Sequence, residues 1–504
     1  MATVPVTERE GDAEVSRGHS TEPKGEGRAE HAGTRERREV RERLRAENTN
    51  EQLAFRWEGE GEAQATPSEG SMLTSAPTET GTLAEGLMEA VVAAENMRQA
   101  LRRVRANKGA PGVDGMTVEE LPEHLKVEWP RLKQELLEGK YKPQAVKRVE
   151  IPKPDGGVRR LGIPTVVDRL IEQAMLQVLS PLYDPTFSNW SYGFRPKRNA
   201  HQAVNQAREY VEQGNGWVVD IDLEKFFDRV NHDMLMGRLA KRIGDKRLLK
   251  LIRRYLQAGI MSEGVVVNRL EGTPQGGPLS PLLANVLLDE LDRELERRGH
   301  KFCRYADDCN IYVRSQRAGE RVMASVTRYL EGKLRLKVNA AKSRVARPLE
   351  RDFLGFRLAV GREIRVIIAP SSRERMKDAV RRITRRNRGV SLERMLEELG
   401  RYTDGWVGYY RLAQTPSIYD RFDKWIRRRV RCYQWQQWKQ PSTRARALQR
   451  AGVDPRLANG TAYDGPGQWR AAGSPGLTIA LPNAKLARMG YHSMHERYLA
   501  LAST

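Results

Sequence analysis

An apolar stretch near the middle of the chain is interrupted by two adjacent acids. Phe302-Cys303-Arg304-Tyr305-Ala306 runs into Asp307-Asp308, and Cys309-Asn310-Ile311-Tyr312-Val313 follows. Each flank is the length of a short strand and carries aromatic or β-branched residues, which predicts a hairpin with the acids at its tip. Apolar flanks set that tip against a core. Alone, an Asp-Asp tip is ordinary turn chemistry. A second strand changes its meaning. Trp217-Val218-Val219-Asp220-Ile221-Asp222 is apolar and ends in an acid, with Asp220 on the same face as Asp222 by the two-residue period of a strand.

Acids at two separated places suit one chemistry in particular. Phosphoryl transfer to a growing strand uses two divalent ions about 3.5–4 Å apart. Carboxylates are suitable ligands, because Mg²⁺ takes hard oxygen donors and keeps positions open for substrate. The overall charge points the same way. A formal net charge of +22 favours a polyanionic partner. The charge is also clustered, with Arg373, Arg375, Lys377, Arg381, Arg382, Arg385, Arg386 and Arg388 within one short span.

Several classes are disfavoured. The three cysteines, Cys303, Cys309 and Cys432, form no CxxC pair, so neither a disulfide framework nor a cysteine-based zinc site is expected. No run reaches the roughly 18 apolar residues of a membrane helix. The start, Met1-Ala2-Thr3-Val4-Pro5, does not read as a secretory signal. The expectation is a cytoplasmic protein of bacterial type with no membrane partner.

Residues 1–82 are rich in Glu, Arg, Gly, Thr and Ser and lack apolar periodicity, which predicts a disordered or partner-dependent tail. Helical spacing begins with Leu87, Val91, Met97, Leu101 and Val104, followed by the Gly/Pro-rich loop Asn107–Gly115. Alternation over 145–164, broken by Pro154-Asp155-Gly156-Gly157, predicts a hairpin carrying Lys147, Arg148, Lys153, Arg159 and Arg160. Helices are expected at about 166–182, 199–213, 231–258 and 279–297, and the chain is helical and basic from about 372.

Further motifs share this frame. Asp222-Leu223-Glu224-Lys225-Phe226-Phe227-Asp228, Gly272-Thr273-Pro274-Gln275-Gly276-Gly277-Pro278-Leu279-Ser280-Pro281 and Tyr305-Ala306-Asp307-Asp308 resemble the palm motifs of reverse transcriptases. Leu161-Gly162-Ile163-Pro164 and Tyr192-Gly193-Phe194-Arg195-Pro196 resemble their fingers motifs, and Phe353-Leu354-Gly355-Phe356 their primer grip. Arg401-Tyr402-Thr403-Asp404-Gly405-Trp406-Val407-Gly408-Tyr409-Tyr410-Arg411 resembles the maturase (X) region. Over about 85–504 the chain is similar to group II intron reverse transcriptases.

The resemblance implies an α+β, right-hand polymerase: fingers, a palm with an antiparallel sheet, an α-helical thumb/maturase domain and a basic C-terminal region. The expected divisions are a tail at 1–82, an N-terminal extension with fingers at 83–215, a palm at 216–365, a thumb at 366–440 and a DNA-binding region at 441–504. Asp222 and Asp307 correspond to the principal metal ligands, Asp308 to the third acid, and the backbone carbonyl of Leu223 completes one shell of two Mg²⁺ ions. Asp222 is preferred over Asp220 because Phe227 follows five residues later, where the family places the aromatic that rejects a 2′-hydroxyl. Lys153 and Arg159 correspond to the cations on the dNTP triphosphate, with Arg160 a neighbour that sequence does not separate from Arg159. Gln275 corresponds to the residue that touches the nucleotide or template, and Lys342 is a candidate proton donor to pyrophosphate. Arg385, Arg386, Arg427, Arg428, Arg429 and Arg431 are the expected nucleic-acid contacts.

The implied partners are group II intron RNA, target DNA with a DNA primer, and dNTPs. No paired cysteines or His-Asn-His cluster follows the thumb, which implies an enzyme without an endonuclease. The alternatives are an RNA-binding splicing cofactor with dispensable polymerization, and a domesticated reverse transcriptase of a defence or CRISPR system.

Overall fold

The computed structural model describes residues 83–152, 158–262, 265–267, 271–273, 276–464 and 467–503, and gives the backbone alone for Arg159, Arg160, Ser262 and Val265–Val267. The expected tail at 1–82 lies outside the described residues. Three helices open the order: α1 (Leu87–Val91), α2 (Ala94–Ala106) and α3 (Leu121–Leu137). Strands β1 (Val146–Pro152) and β2 (Val158–Ile163) pair antiparallel, with Ile151 opposite Arg159, as the alternation of 145–164 predicts. Helices α4 (Val166–Tyr183) and α5 (Ala200–Glu212) then lead to β3 (Trp217–Ile221).

Local capping chemistry sets the helix limits. Thr165 accepts the N–H of Asp168 at the start of α4, and Asn199 with Gln202 forms a capping box on α5. The single helix expected at 231–258 is two, α6 (His232–Leu239) and α7 (Lys246–Gln257). Asp245 explains the break: its carboxylate accepts the N–H groups of Arg247 and Leu248 as the N-cap of α7, and that of Met88 at 2.9 Å. Strands β4 (Ile260–Ser262) and β5 (Val265–Val267) extend the first sheet to the order β2-β1-β4-β5.

Helix α8 (Ser280–Arg297) buries Leu282, Leu283, Val286, Leu287 and Leu291, the residues its spacing marks. Full burial of each such side chain contributes about 1.5–3 kcal/mol. It precedes the hairpin of β6 (Lys301–Tyr305) and β7 (Asp308–Val313), then α9 (Gln316–Lys333) and β8 (Arg344–Ala346). The central sheet has the order β6-β7-β3-β8, antiparallel throughout, with Ile221 opposite Cys309 and Tyr305 opposite Asp308. One step further in that register brings Asp222 beside Asp308. Strands β9 (Phe356–Val360) and β10 (Ile364–Ile368) form a separate hairpin.

The rest is helical: α10 (Pro370–Ile383), α11 (Leu392–Tyr410), α12 (Pro416–Gln437), α13 (Pro441–Arg450), α14 (Pro455–Tyr463), α15 (Gln468–Ala471), α16 (Pro475–Ala480), α17 (Asn483–Arg488) and α18 (Met494–Ala502). Trp406, Tyr410, Tyr419 and Phe422 form an aromatic core between α11 and α12, shared with Phe356 of β9. Residues of 441–480 pack a small core of their own around Trp435 and Leu448. Helix α18 then returns to α11 and α12, where buried Asp423 accepts from Tyr491 Oη, Ser493 Oγ and the N–H groups of Met494 and His495. No helix among the described residues is long and apolar enough to cross a membrane.

Candidate active site

The β6–β7 hairpin turns at Ala306-Asp307, and Ala306 takes a left-handed φ of 57°. Such a backbone costs energy for a residue with a Cβ and persists only where its surroundings fix it. Arg304 supplies that fixing from behind. It is fully buried and donates to both carboxylate oxygens of Asp292 on α8 at 2.7 and 2.6 Å. It also donates to Asn285 Oδ1 at 2.9 Å, Ser191 Oγ at 2.8 Å and Ala306 O at 2.8 Å. Asn285 continues the network by donating to Gly193 O at 2.9 Å. Gly193 lies so close that a Cβ there would sit 2.3 Å from Ala306 N, so only glycine fits against the turn. The Tyr192–Pro196 motif therefore buttresses the two acids.

Asp222 follows directly on β3. Asp220 and Asp222 open, with Asp308, onto one cleft of about 330 Å³, whose other walls include Lys342, Arg344, Arg351, Asp352 and Phe353. The cleft pits like charges against each other. Asp308 keeps an exposed edge, yet the surrounding protein strips solvent from it and Asp307, Asp220 and Asp222 repel its charge, so its carboxyl is pushed up to about 7. Lys342 opposes that shift. Burial also raises Asp220, against the pull of Arg351, whose Nε donates to Asp220 Oδ2 at 2.8 Å. Asp220 thus shares the cleft with Asp222 but is already paired with a cation.

Whether these residues fit divalent ions turns on donor chemistry. Among the described residues no three His, Cys, Asp or Glu side chains converge closely enough to enclose a metal. Mg²⁺ does not need such a cage. It binds through one or two carboxylates and fills its octahedron with water and substrate oxygens. Asp222 and Asp308 on one cleft, with Asp307 at the turn between strands, suit that mode. Leu223 is held in place by a bridge to Val338, next to Asp222.

Phe226 and Phe227 divide their tasks. Phe226 is buried, while Phe227 is half-buried with its ring 5.1 Å from that of Phe226. The carbonyl of Phe227 accepts the N–H of Thr273 at 2.7 Å, tying it to the loop that leads to Gln275. Gln275 and Lys153 lie outside the described residues, and Arg159 is described only as backbone on β2. After Gln275, the Gly276 Cα approaches Gly162 O so closely that a Cβ would lie 2.5 Å from it. Buried Glu172 of α4 accepts the N–H of Leu279 at 3.3 Å. The Asn107–Gly115 loop packs on Pro164-Thr165, with Arg169 donating to Ala110 O at 2.8 Å.

The six expected nucleic-acid arginines lie on the helical region, away from the cleft's lining. Arg385 and Arg386 are exposed beyond α10, though Arg386 contacts Gln468. Arg427 is half-exposed on α12. Three others hold the fold together: Arg428 binds Trp469 O at 2.9 Å and stacks on its ring, Arg429 binds Thr384 Oγ1 at 2.6 Å, and Arg431 binds Leu481 O at 3.0 Å. Sequence reasoning missed Arg304, Asn285, Asn339 and Arg351. One signal was present for Arg304, a charge set inside the run Phe302–Ala306 of otherwise uncharged, largely apolar residues.

Residues 151–358 match the reverse transcriptase (RNA-dependent DNA polymerase) family, and residues 373–452 match the maturase-specific domain of group II introns. The chain is similar to Protein YkfC of Escherichia coli, with 34% identity over 330 residues, covering 57% of this chain and 86% of that protein. It is 40% identical over 172 residues to the group II intron-encoded protein LtrA of Lactococcus lactis, covering 34% of this chain and 28% of LtrA. It is 36% identical over 169 residues to the putative COX1/OXI3 intron 2 protein of Saccharomyces cerevisiae, covering 33% of this chain and 20% of that protein.

Proposed function

The chain belongs to the group II intron reverse transcriptase/maturase family, RNA-directed DNA polymerases that assist splicing, and we propose that its cleft copies intron RNA into DNA from a primer at target DNA. The observation that carries this is the shared cleft of Asp222 and Asp308, with the Asp307 turn locked behind it by Arg304. Asp222, Asp307 and the carbonyl of Leu223 would hold two Mg²⁺ ions, with Asp308 as the supporting acid, and the ions would supply positive charge that favours loss of the 3′-hydroxyl proton and departure of pyrophosphate.

The chain's own residues supply the rest. Lys153 and Arg159 neutralise the incoming triphosphate, and Gln275 positions the nucleotide against the template. Phe227, half-buried and five residues after Asp222, excludes a 2′-hydroxyl and so selects dNTPs. Lys342, on the cleft wall, gives a proton to the leaving pyrophosphate. The Asn107–Gly115 loop covers the template near the active site. Residues 83–215 serve as extension and fingers, 216–365 as palm, 366–440 as thumb and 441–504 as a DNA-binding region.

Exposed Arg385 and Arg386 and half-exposed Arg427 meet intron RNA, while Arg428, Arg429 and Arg431, expected with them, are engaged by Trp469, Thr384 and Leu481. The dual reading separates by one substitution. With an RNA template, a DNA primer, dNTPs and Mg²⁺, the purified chain extends the primer and Asp307→Ala does not, while Asp307→Ala still supports splicing of its intron RNA. Absence of extension by the wild-type chain would leave the splicing-cofactor reading in its place.

A further inference from the structure

The strand end at Asp222 is clipped by a later segment, Lys337–Ser343. Glu224 N–H donates to Lys337 O at 2.8 Å, Leu223 bridges Val338, and Asn339 N–H donates to Asp222 O at 2.8 Å. Ser343 Oγ accepts Asp222 N–H at 3.0 Å and lies 3.3 Å from Asp222 O. One contact of this clip reaches the carboxylate itself: Asn339 Nδ2 donates to Asp222 Oδ2 at 2.9 Å.

That contact has a chemical consequence. Rotation of an Asp carboxylate about its last torsion is broad and roughly two-fold. A donor on Oδ2 removes that freedom and fixes the direction of Oδ1. An amide does this without adding positive charge, so the carboxylate keeps its full attraction for a cation. A lysine or arginine would orient it but bring a positive charge that opposes the ion, the kind of partner that Asp220 has in Arg351. Asn339 also opens the turn that brings Lys342 to the cleft, its carbonyl accepting the N–H groups of Lys342 at 3.1 Å and Ser343 at 2.8 Å.

From this geometry we infer that Asn339 is a positioning residue that aims Asp222 Oδ1 at a divalent ion and sets Asp222 and Lys342 relative to each other. The inference rests on the reading of Asp222 as a metal ligand. Partners that hold ligands in place commonly change metal affinity about 10- to 100-fold when removed.

The test is Mn²⁺ binding by electron paramagnetic resonance to the full chain with an RNA-template/DNA-primer duplex bound. Asn339→Ala and Asn339→Ser are expected to weaken Mn²⁺ about tenfold or more. Lys337→Ala removes the ion pair of the same clip with Glu224 and is expected to bind Mn²⁺ as the wild type does. A purely structural clip would instead lower the melting temperature of the Asn339 and Lys337 variants alike and leave Mn²⁺ affinity unchanged, which overturns the inference. Asp222→Ala keeps the two readings apart. If it loses Mn²⁺ while both Asn339 variants retain wild-type affinity, the positioning role falls alone. If it binds Mn²⁺ normally, the metal-ligand reading falls with it.

Discussion

Arg304 and Asp292 form an ion pair with no exposure of either side chain, joined by two hydrogen bonds directly behind the Tyr305–Asp308 turn. The remaining donors of Arg304 reach Asn285, Ser191 and Ala306, so one guanidinium connects α8, the residue just before the Tyr192–Pro196 motif and the turn's left-handed residue. Breaking a buried pair by removing one partner costs about 3–5 kcal/mol, because the other charge is left uncompensated. Asp292→Ala should lower stability by about that amount in chemical denaturation. Primer extension should fall further than stability alone explains, measured at a temperature where the variant remains folded.

Phe227 makes a prediction about sugar selection. Replacing its ring with the shorter side chain of Val opens the space that a 2′-hydroxyl needs. Phe227→Val should raise the use of rNTPs relative to dNTPs by on the order of ten- to a hundredfold, read as the ratio of kcat/KM values. An unchanged ratio would mean that Phe227 serves only to hold Thr273 through its backbone.

Glu172 predicts a pH dependence of stability. Burial pushes its carboxyl up to about 8 from 4.5, the nearby Asp168 adds to the rise, and Leu279 N–H and Arg169 oppose it. Between those values the folded chain keeps a proton that the unfolded chain has released. Folding therefore takes up a proton, and this group's contribution to stability is complete below about 4.5 and declines as pH rises to about 8. Glu172→Gln keeps the shape without the ionisation. Its denaturation midpoint should match the wild type near pH 5 and exceed it near pH 9, a crossing that a simple packing defect would not produce.

The thumb arginines should separate by function. Arg385→Ala removes an exposed guanidinium beyond α10 and should weaken RNA binding while reducing the salt dependence by about one unit of slope. Arg429→Ala removes the bond to Thr384 and should lower the melting temperature first. Equal effects of both on the salt slope would assign Arg429 to the RNA as well.

Much of the scaffold was legible because its signals are local. The apolar runs of β3, β6 and β7 and the apolar stripe of α8 are written in consecutive residues, and the acids stand at the ends of those strands. The split between α6 and α7 was less so, since it depends on Asp245 capping one helix while also holding Met88, far away in sequence. Arg304 and Asn339 were not legible as parts of the site, because their partners come from distant segments: Ser191 and Asp292 for one, Asp222 for the other. Arginine is ambiguous in a different way. A guanidinium that can bind phosphate can equally bind carbonyl oxygens, and Arg428 and Arg431 do so within the fold.

The central claim is that Asp222 and the acids of the β6–β7 turn act as one unit. Single-turnover primer extension on an RNA template, with Mg²⁺ and dNTPs, tests it in the wild type, Asp222→Ala, Asp307→Ala and the double variant. Groups that act as a unit are strongly non-additive. Each single variant should fall to the floor of the assay and the double variant no lower, with all four melting at similar temperatures. Extension by Asp307→Ala at the wild-type rate, or losses in the single variants that multiply in the double, would contradict it.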